Sequence, residues 1–102
     1  MVWTRVAAAD EVAEGEVVGV TTAAGQQIAL YRDKGDFFAT SNVCTHQFAL
    51  LSDGYFEDGC IECPLHQGSF DIRSGKALCA PVTEDIKVYP VRVDGKDLLA
   101  DI

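Results

Sequence analysis

Both histidines of this 102-residue chain, and three of its four cysteines, lie in one stretch, "NVCTHQFALLSDGYFEDGCIECPLHQGSFD", residues 42–71. Each histidine closely follows a cysteine: Cys44-Thr-His46, then Cys63-Pro-Leu-His66. A thiolate and an imidazole together make a ligand pair of intermediate softness for a metal. Sixteen residues separate His46 from Cys63, so two segments each supply one sulfur and one nitrogen. Four such ligands can close one tetrahedral zinc site. They can equally hold a two-iron cluster in which one iron takes both sulfurs and the other both nitrogens. Zinc modules usually pair Cys with Cys and His with His, and the mixed pairs here fit that habit poorly. Two disulfides are a further use of four cysteines, but the start "MVWTRVAAADE" has no sustained apolar run of the signal-peptide kind. In a reducing cytosol such spacing points to metal or catalysis. The expectation is therefore a cytoplasmic protein.

The elements that must position these residues read as strands. "EVVGVTT" (16–22) is rich in β-branched residues, "QQIALYR" (26–32) follows Ala-Ala-Gly, and Asp33-Lys34-Gly35-Asp36 is a turn into "FFATS" (37–41). Near the end, "DIKVYPVRV" (85–93) meets "DLLADI" (97–102) through Asp94-Gly95, a hairpin signal. Pro90 marks an edge or a bulge in its strand. "AADEVAEGE" (8–16) has length for a helical turn and no more. Residues 42–71 read as a pair of Gly-punctuated loops projecting from this framework, with Cys60-Ile61-Glu62 at most a short strand and Phe70-Asp71-Ile72 extended. The expected fold is all-β, a small antiparallel barrel or sandwich carrying a two-loop subdomain, as one domain over residues 1–102.

Charge excludes one class of partner. The chain has 16 Asp and Glu against 8 Lys and Arg, a formal charge of −8. Nucleic acid needs a basic face and finds none. The excess of acids reads either as solubility or as docking onto basic partner proteins; from Gly35 to Ile72 there is no Lys or Arg, while Asp36, Asp53, Glu57, Asp58, Glu62 and Asp71 fall in that stretch, which favours docking. No stretch approaches the roughly 20 apolar residues of a membrane helix.

The two boxes, "CTH" (44–46) and "CPLHQGSFD" (63–71), resemble the cluster-binding boxes of Rieske [2Fe–2S] proteins. The wider run "LSDGYFEDGCIECPLHQGSFDIRSGKALCAPVTEDIKVYPV" (51–91) is similar to the small ferredoxins of bacterial aromatic ring-hydroxylating dioxygenase systems of the naphthalene and biphenyl types. The resemblance implies a Rieske-type fold and one [2Fe–2S] cluster, with Cys44 and Cys63 on the inner iron and His46 and His66 on the outer iron near the protein tip. It implies an electron carrier and not an enzyme. Electrons would come singly from an NAD(P)H-dependent flavoprotein reductase and go to a terminal Rieske non-haem iron oxygenase, through transient docking by a monomer. Alternatives are a Rieske subunit of another reductase or monooxygenase, and a zinc-stabilised β module that binds proteins.

Departures from the family pattern carry expectations of their own. Rieske proteins of respiratory and photosynthetic complexes join the two loops by a disulfide; Ala49 and Leu65 stand at those places here. Cys60 and Cys79 then read as small buried apolar residues, their pairing left open. High-potential members carry Ser and Tyr hydroxyls directed at cluster or ligand sulfur, where this chain has Gly68 and Phe70. Without those donors the potential is expected near the low end of the Rieske range, roughly −150 mV. Tyr55 and Phe56 are expected in the core, and Gln47-Phe48-Ala49-Leu50 is a candidate apolar contact patch.

Overall fold

The computed structural model describes residues 2–45, 49–65, 68–79 and 84–102, at Cys79 the backbone alone. Eleven strands form three antiparallel sheets among the described residues. The first sheet has the order β1 (Trp3–Ala8), β11 (Asp97–Asp101), β10 (Val91–Asp94). The second runs β2 (Val17–Thr21), β3 (Gln27–Asp33), β4 (Asp36–Ser41), β9 (Val88–Tyr89). The third runs β5 (Tyr55–Glu57), β6 (Cys60–Glu62), β7 (Ser69–Asp71), β8 (Ala77–Cys79). Two single 3-10 turns, Ala9–Glu11 and Leu51–Asp53, are the helical content among the described residues, and no helix there is long and apolar enough to cross a membrane.

β3 explains how three sheets share one molecule. Its residues 28–31 are all buried, the mark of a strand covered on both faces. Ile28 and Leu30 face the first sheet, packing with Ala7, Val12, Ala39 and Leu98. Ala29 and Tyr31 face the other way, into a core shared with Cys44, Leu51, Ile61, Cys63, Phe70, Ile72 and Ile86. Each fully buried Leu, Ile or Phe contributes about 1.5–3 kcal/mol relative to an exposed one. The Tyr31 hydroxyl is buried with Thr40, 2.8 Å away, and burial pushes its pKa up.

Turn chemistry sets the registers. Asp33 faces Asp36 across Lys34-Gly35, and Glu57 faces Cys60 across Asp58-Gly59. All four loop residues have positive φ, the type I′ pattern that matches strand twist. Lys34 and Asp58 accept that conformation although they are not glycine. At Lys34 the Glu14 carboxylate helps: it accepts the amides of Lys34 and Gly35, each at 2.7 Å.

The expected strands at 16–22, 26–32, 37–41 and 97–102 form, with shifts of a residue or two at their ends. Asp94-Gly95 lies at the β10–β11 hairpin, where Asp94 pairs with Asp97. Three expectations change. The single strand over 85–93 is two strands, because Pro90 divides it and its halves join different sheets: β9 pairs with β4, and β10 with β11. A proline lacks the amide a continuous ladder would use there. β1, unremarked in the sequence, completes the first sheet by pairing with β11, with a shift of register between Arg5 and Ala7. Residues 55–79 are a four-stranded sheet carrying the second loop, rather than bare loops.

Candidate metal centre

The two boxes are built alike. In the first, Leu51 N–H donates to Asn42 O at 2.8 Å, Val43 bridges Leu50, and Cys44 N–H donates to Ala49 O at 2.9 Å. In the second, Glu62 pairs with Ser69 and Cys63 N–H donates to Gly68 O at 2.7 Å. Each cysteine is thus the last rung of a short antiparallel ladder, and the carbonyl that closes the rung lies five residues on. In the sequence, four residues lie between the two ends of each rung: Thr45, His46, Gln47 and Phe48 in one, Pro64, Leu65, His66 and Gln67 in the other. Along the sequence the histidine is the second of the four in the first set and the third in the second. His46, Gln47, Phe48, His66 and Gln67 lie outside the described residues, so the expected ligand set is placed here through its cysteines.

Both cysteines are buried, Cys44 at 4% and Cys63 at 1% exposure, in the same apolar cluster. A thiolate in such surroundings is unfavourable unless a cation or donors compensate it. Two buried thiols in one apolar cluster, each followed in sequence by an imidazole two or three residues on, supply two sulfur and two nitrogen donors. That donor set fits an unequally ligated iron–sulfur cluster.

Neighbouring residues hold the rungs in place, and sequence reading had missed them. Asn42 is 1% exposed and brackets the first ladder to the turn at Leu51–Asp53. Its side-chain amide donates to Ser52 Oγ at 2.9 Å, and its Oδ1 accepts Ser52 N–H at 2.8 Å. β2 passes so close to this bracket that a Cβ on Gly19 would lie 2.6 Å from Ser52 Oγ. Thr45 Oγ1 donates to Glu84 O at 3.1 Å, tethering the first tip to the segment that leads into β9. An asparagine two residues before the first cysteine was the available signal, but its partner, the half-buried Ser52, lies ten residues on.

Around the tips, Ala49, Leu50, Asp53, Pro64 and Leu65 line one cleft. Leu65 is 61% exposed and Leu50 half-buried, so the described half of the expected patch, Ala49-Leu50, is joined by residues of the second tip. Ala49 and Leu65, the positions at which the resemblance set a disulfide aside, both line this cleft and carry no thiol. Gly68 is buried and Phe70 fully so, the ring packed in the cluster that holds both cysteines.

Two expectations about neighbouring side chains are corrected. Tyr55 is not in the core: it stands 70% exposed, because its place in the register puts it on the outer face of β5. Phe56, one residue on, points inward and meets Tyr31 with ring centroids 5.2 Å apart. Cys60 is half-buried rather than buried and is a free thiol; burial, with Asp71 and Asp58 nearby, pushes its pKa up. Cys60 and Cys79 do not face each other. Cys60 pairs with Asp71 and Cys79 with Ser69, so β7 runs between them. Two strand spacings, roughly 9–10 Å, exceed the reach of a disulfide.

Fold and site together define a small antiparallel β protein with two buried cysteines, each closing the last rung of a short ladder. The family model described as "Rieske [2Fe-2S] domain" matches residues 2–90. The ferredoxin component of the naphthalene 1,2-dioxygenase system of Pseudomonas putida is 50% identical over 100 residues, 98% of this chain and 95% of that one. A ferredoxin of Sphingomonas yanoikuyae B1 superposes with a TM-score of 0.94 at 39% identity, over 99% of both chains. A chain of the structure described as a complex of reduced oxygenase and oxidized ferredoxin in carbazole 1,9a-dioxygenase has a TM-score of 0.90 at 33% identity, covering 96% of this chain and 91% of that one. The chain belongs to the Rieske [2Fe-2S] domain family, and its cofactor is a Rieske-type [2Fe–2S] cluster.

Proposed function

We propose that this chain is the ferredoxin component of an aromatic-ring dioxygenase system, passing single electrons from an NAD(P)H-dependent flavoprotein reductase to a terminal Rieske non-haem iron oxygenase. The observation that carries this is chain-long similarity to ferredoxin components of such systems, joined to a pair of buried cysteines at the bases of two matched tips. Cys44, His46, Cys63 and His66 are the proposed ligands, within one domain over residues 1–102. When bound, a cluster of this kind takes up and releases one electron at a time.

The chain's own residues supply the rest. The ladders ending at Cys44 and Cys63 fix the sulfur donors, and the Asn42 bracket and Thr45 tether hold the first tip against the framework. Burial of both cysteines keeps water from the sulfur side, which leaves the histidine side as the route by which an electron reaches a partner. The cleft of Leu50, Pro64 and Leu65 offers an apolar contact beside that route. The histidines number two, so the chain has none left for the second iron site at which an oxygenase activates dioxygen. A carrier role, with the oxygenase on another chain, is the reading that the similarity to ferredoxin components supports. The proposed carrier is a cytoplasmic monomer that docks transiently.

Two measurements test this. Anaerobically purified protein should contain iron and inorganic sulfide in equal amounts and, reduced, give the EPR signature of mixed His/Cys ligation; zinc without iron overturns it. With purified reductase and oxygenase, NADH oxidation in the presence of naphthalene or biphenyl should depend on this protein. Turnover unchanged by leaving it out overturns the carrier role.

A further inference from the structure

The second and third sheets each end in an edge strand, β2 and β5, and the two edges meet along a groove. Gly15, Glu16 and Val17 line one wall, and Tyr55, Phe56 and Glu57 the other, around a space of about 390 Å³. The hydrogen-bond parity of both strands is settled by their flanks. Arg32 N–H donates to Glu16 O and Thr22 N–H to Gln26 O, so even-numbered residues of β2 bond to β3 and Val17 turns its N–H and C=O outward. On the other side, Ile72 N–H donates to Gly59 O and Cys63 N–H to Gly68 O. Ile61 therefore bonds to β7, Cys60 and Glu62 bond to Glu57 and Tyr55, and Phe56 is left with its N–H and C=O outward. Each wall of the groove thus presents one unused backbone donor and acceptor among the described residues.

Natural proteins cover or blunt such edges, or pair them with another chain. Here the edge carries the most exposed aromatic side chain of the described residues, Tyr55 at 70%, between Glu57 on its own strand and Glu62 across the pair. Glu16 and Glu57 are exposed on opposite walls. Backbone groups call for an extended occupant, and the carboxylates for a cationic one. A second copy of this chain is disfavoured by charge. Antiparallel pairing of β5 with itself would set Glu57 against its counterpart's β5, in a region from Gly35 to Ile72 without a Lys or Arg.

We propose that the β2–β5 groove is a docking site for an extended, lysine- or arginine-bearing segment of a protein redox partner, which adds as a strand to β5 with Tyr55 as its apolar anchor. This rests on the carrier role proposed above and adds to it a contact surface apart from the loop tips.

The test is amide hydrogen exchange on the cluster-loaded protein, alone and with the purified reductase or oxygenase. Protection on partner addition should appear in residues 15–17 and 54–57. Glu16→Lys/Glu57→Lys should weaken the Kd for that partner by about tenfold at low salt, with visible spectrum and midpoint potential unchanged. Tyr55→Ala should weaken it without the salt dependence of the charge variant. Protection confined to residues 44–49 and 63–68, or an unaltered Kd in the charge variant, overturns the groove and leaves the carrier role standing. Protection of the groove without any partner, rising with protein concentration alongside dimer in sedimentation, overturns it in favour of self-association. Absence of any coupling to reductase and oxygenase overturns the carrier role, and the groove proposal with it.

Discussion

At the scale of residues, what matters is which polar groups are buried and how each is compensated. Asn42 satisfies Ser52 through both ends of its amide, and through its own backbone joins β3 and the Leu51 turn. Asn42→Ala removes both side-chain bonds and leaves Ser52 N–H short of its acceptor. A loss of about 2–3 kcal/mol is expected, read as a fall in the thermal midpoint of the loaded protein of about 8–20 °C. Gly68 and Phe70 bear on the potential. Neither brings a hydroxyl to the neighbourhood of the cysteines, and both are buried. Gly68→Ser/Phe70→Tyr should raise the midpoint in a redox titration, because a donor to sulfur stabilises the reduced state. A lower or unmoved midpoint would count against low potential arising from missing hydroxyls.

At the scale of elements, turns and edges decide how firmly the sheets hold. Glu14 clamps the β3–β4 turn by accepting the amides of Gly35 and Lys34, and these bonds lower its pKa from the usual 4.5. A carboxyl whose pKa is depressed on folding stabilises the fold above its unfolded value and loses that contribution as pH falls through the folded one. The stability advantage of the native protein over Glu14→Gln should therefore be full above pH 4.5 and fade below it, in denaturant titrations run at several pH values. The third sheet has its own sensitive point. A Cβ on Gly54 would collide with the carbonyl oxygen of Glu62, the acceptor on which β5 depends for its pairing to β6. Gly54→Ala should release β5, exposing residues 55–57 to amide exchange while protection in β3 is retained.

At the scale of the molecule, charge is unevenly spread. Residues 35–72, which include all four proposed ligands, hold six acids and no base; the remainder holds ten acids and eight bases. Cations that do approach the third sheet come from outside that stretch: Arg73 pairs with Asp33 at 3.2 Å and stacks over Phe38 at 4.5 Å, strapping the β7–β8 turn to the second sheet. This acidic half, which holds the proposed ligands, is therefore expected to lead toward a basic partner. The apparent KM of reductase and oxygenase for this protein should rise steeply between about 0.01 and 0.5 M salt, as the screening length shrinks. A flat salt profile would show that docking is governed by the apolar contacts at Leu50 and Leu65.

Much of this protein is legible along the chain because the relevant physics is local. Two cysteine–histidine pairs at short spacing are readable as a proposed mixed sulfur and nitrogen site, and the structure brings their two cysteines into one buried cluster. Lys34-Gly35, Asp58-Gly59 and Asp94-Gly95 mark reversals whose backbone needs are set by two or three adjacent residues. The bias of charge over 35–72 can be counted directly. Pairing between distant segments is what only the tertiary structure decided. β1 finds β11 from the other end of the chain, and Pro90 sends two halves of one apolar run into different sheets. Strand parity puts Tyr55 outside and Phe56 inside, and β7 keeps Cys60 from Cys79. The common cause is that a strand's inner and outer faces alternate residue by residue, so a side chain's surroundings depend on register with a partner that the local sequence does not name.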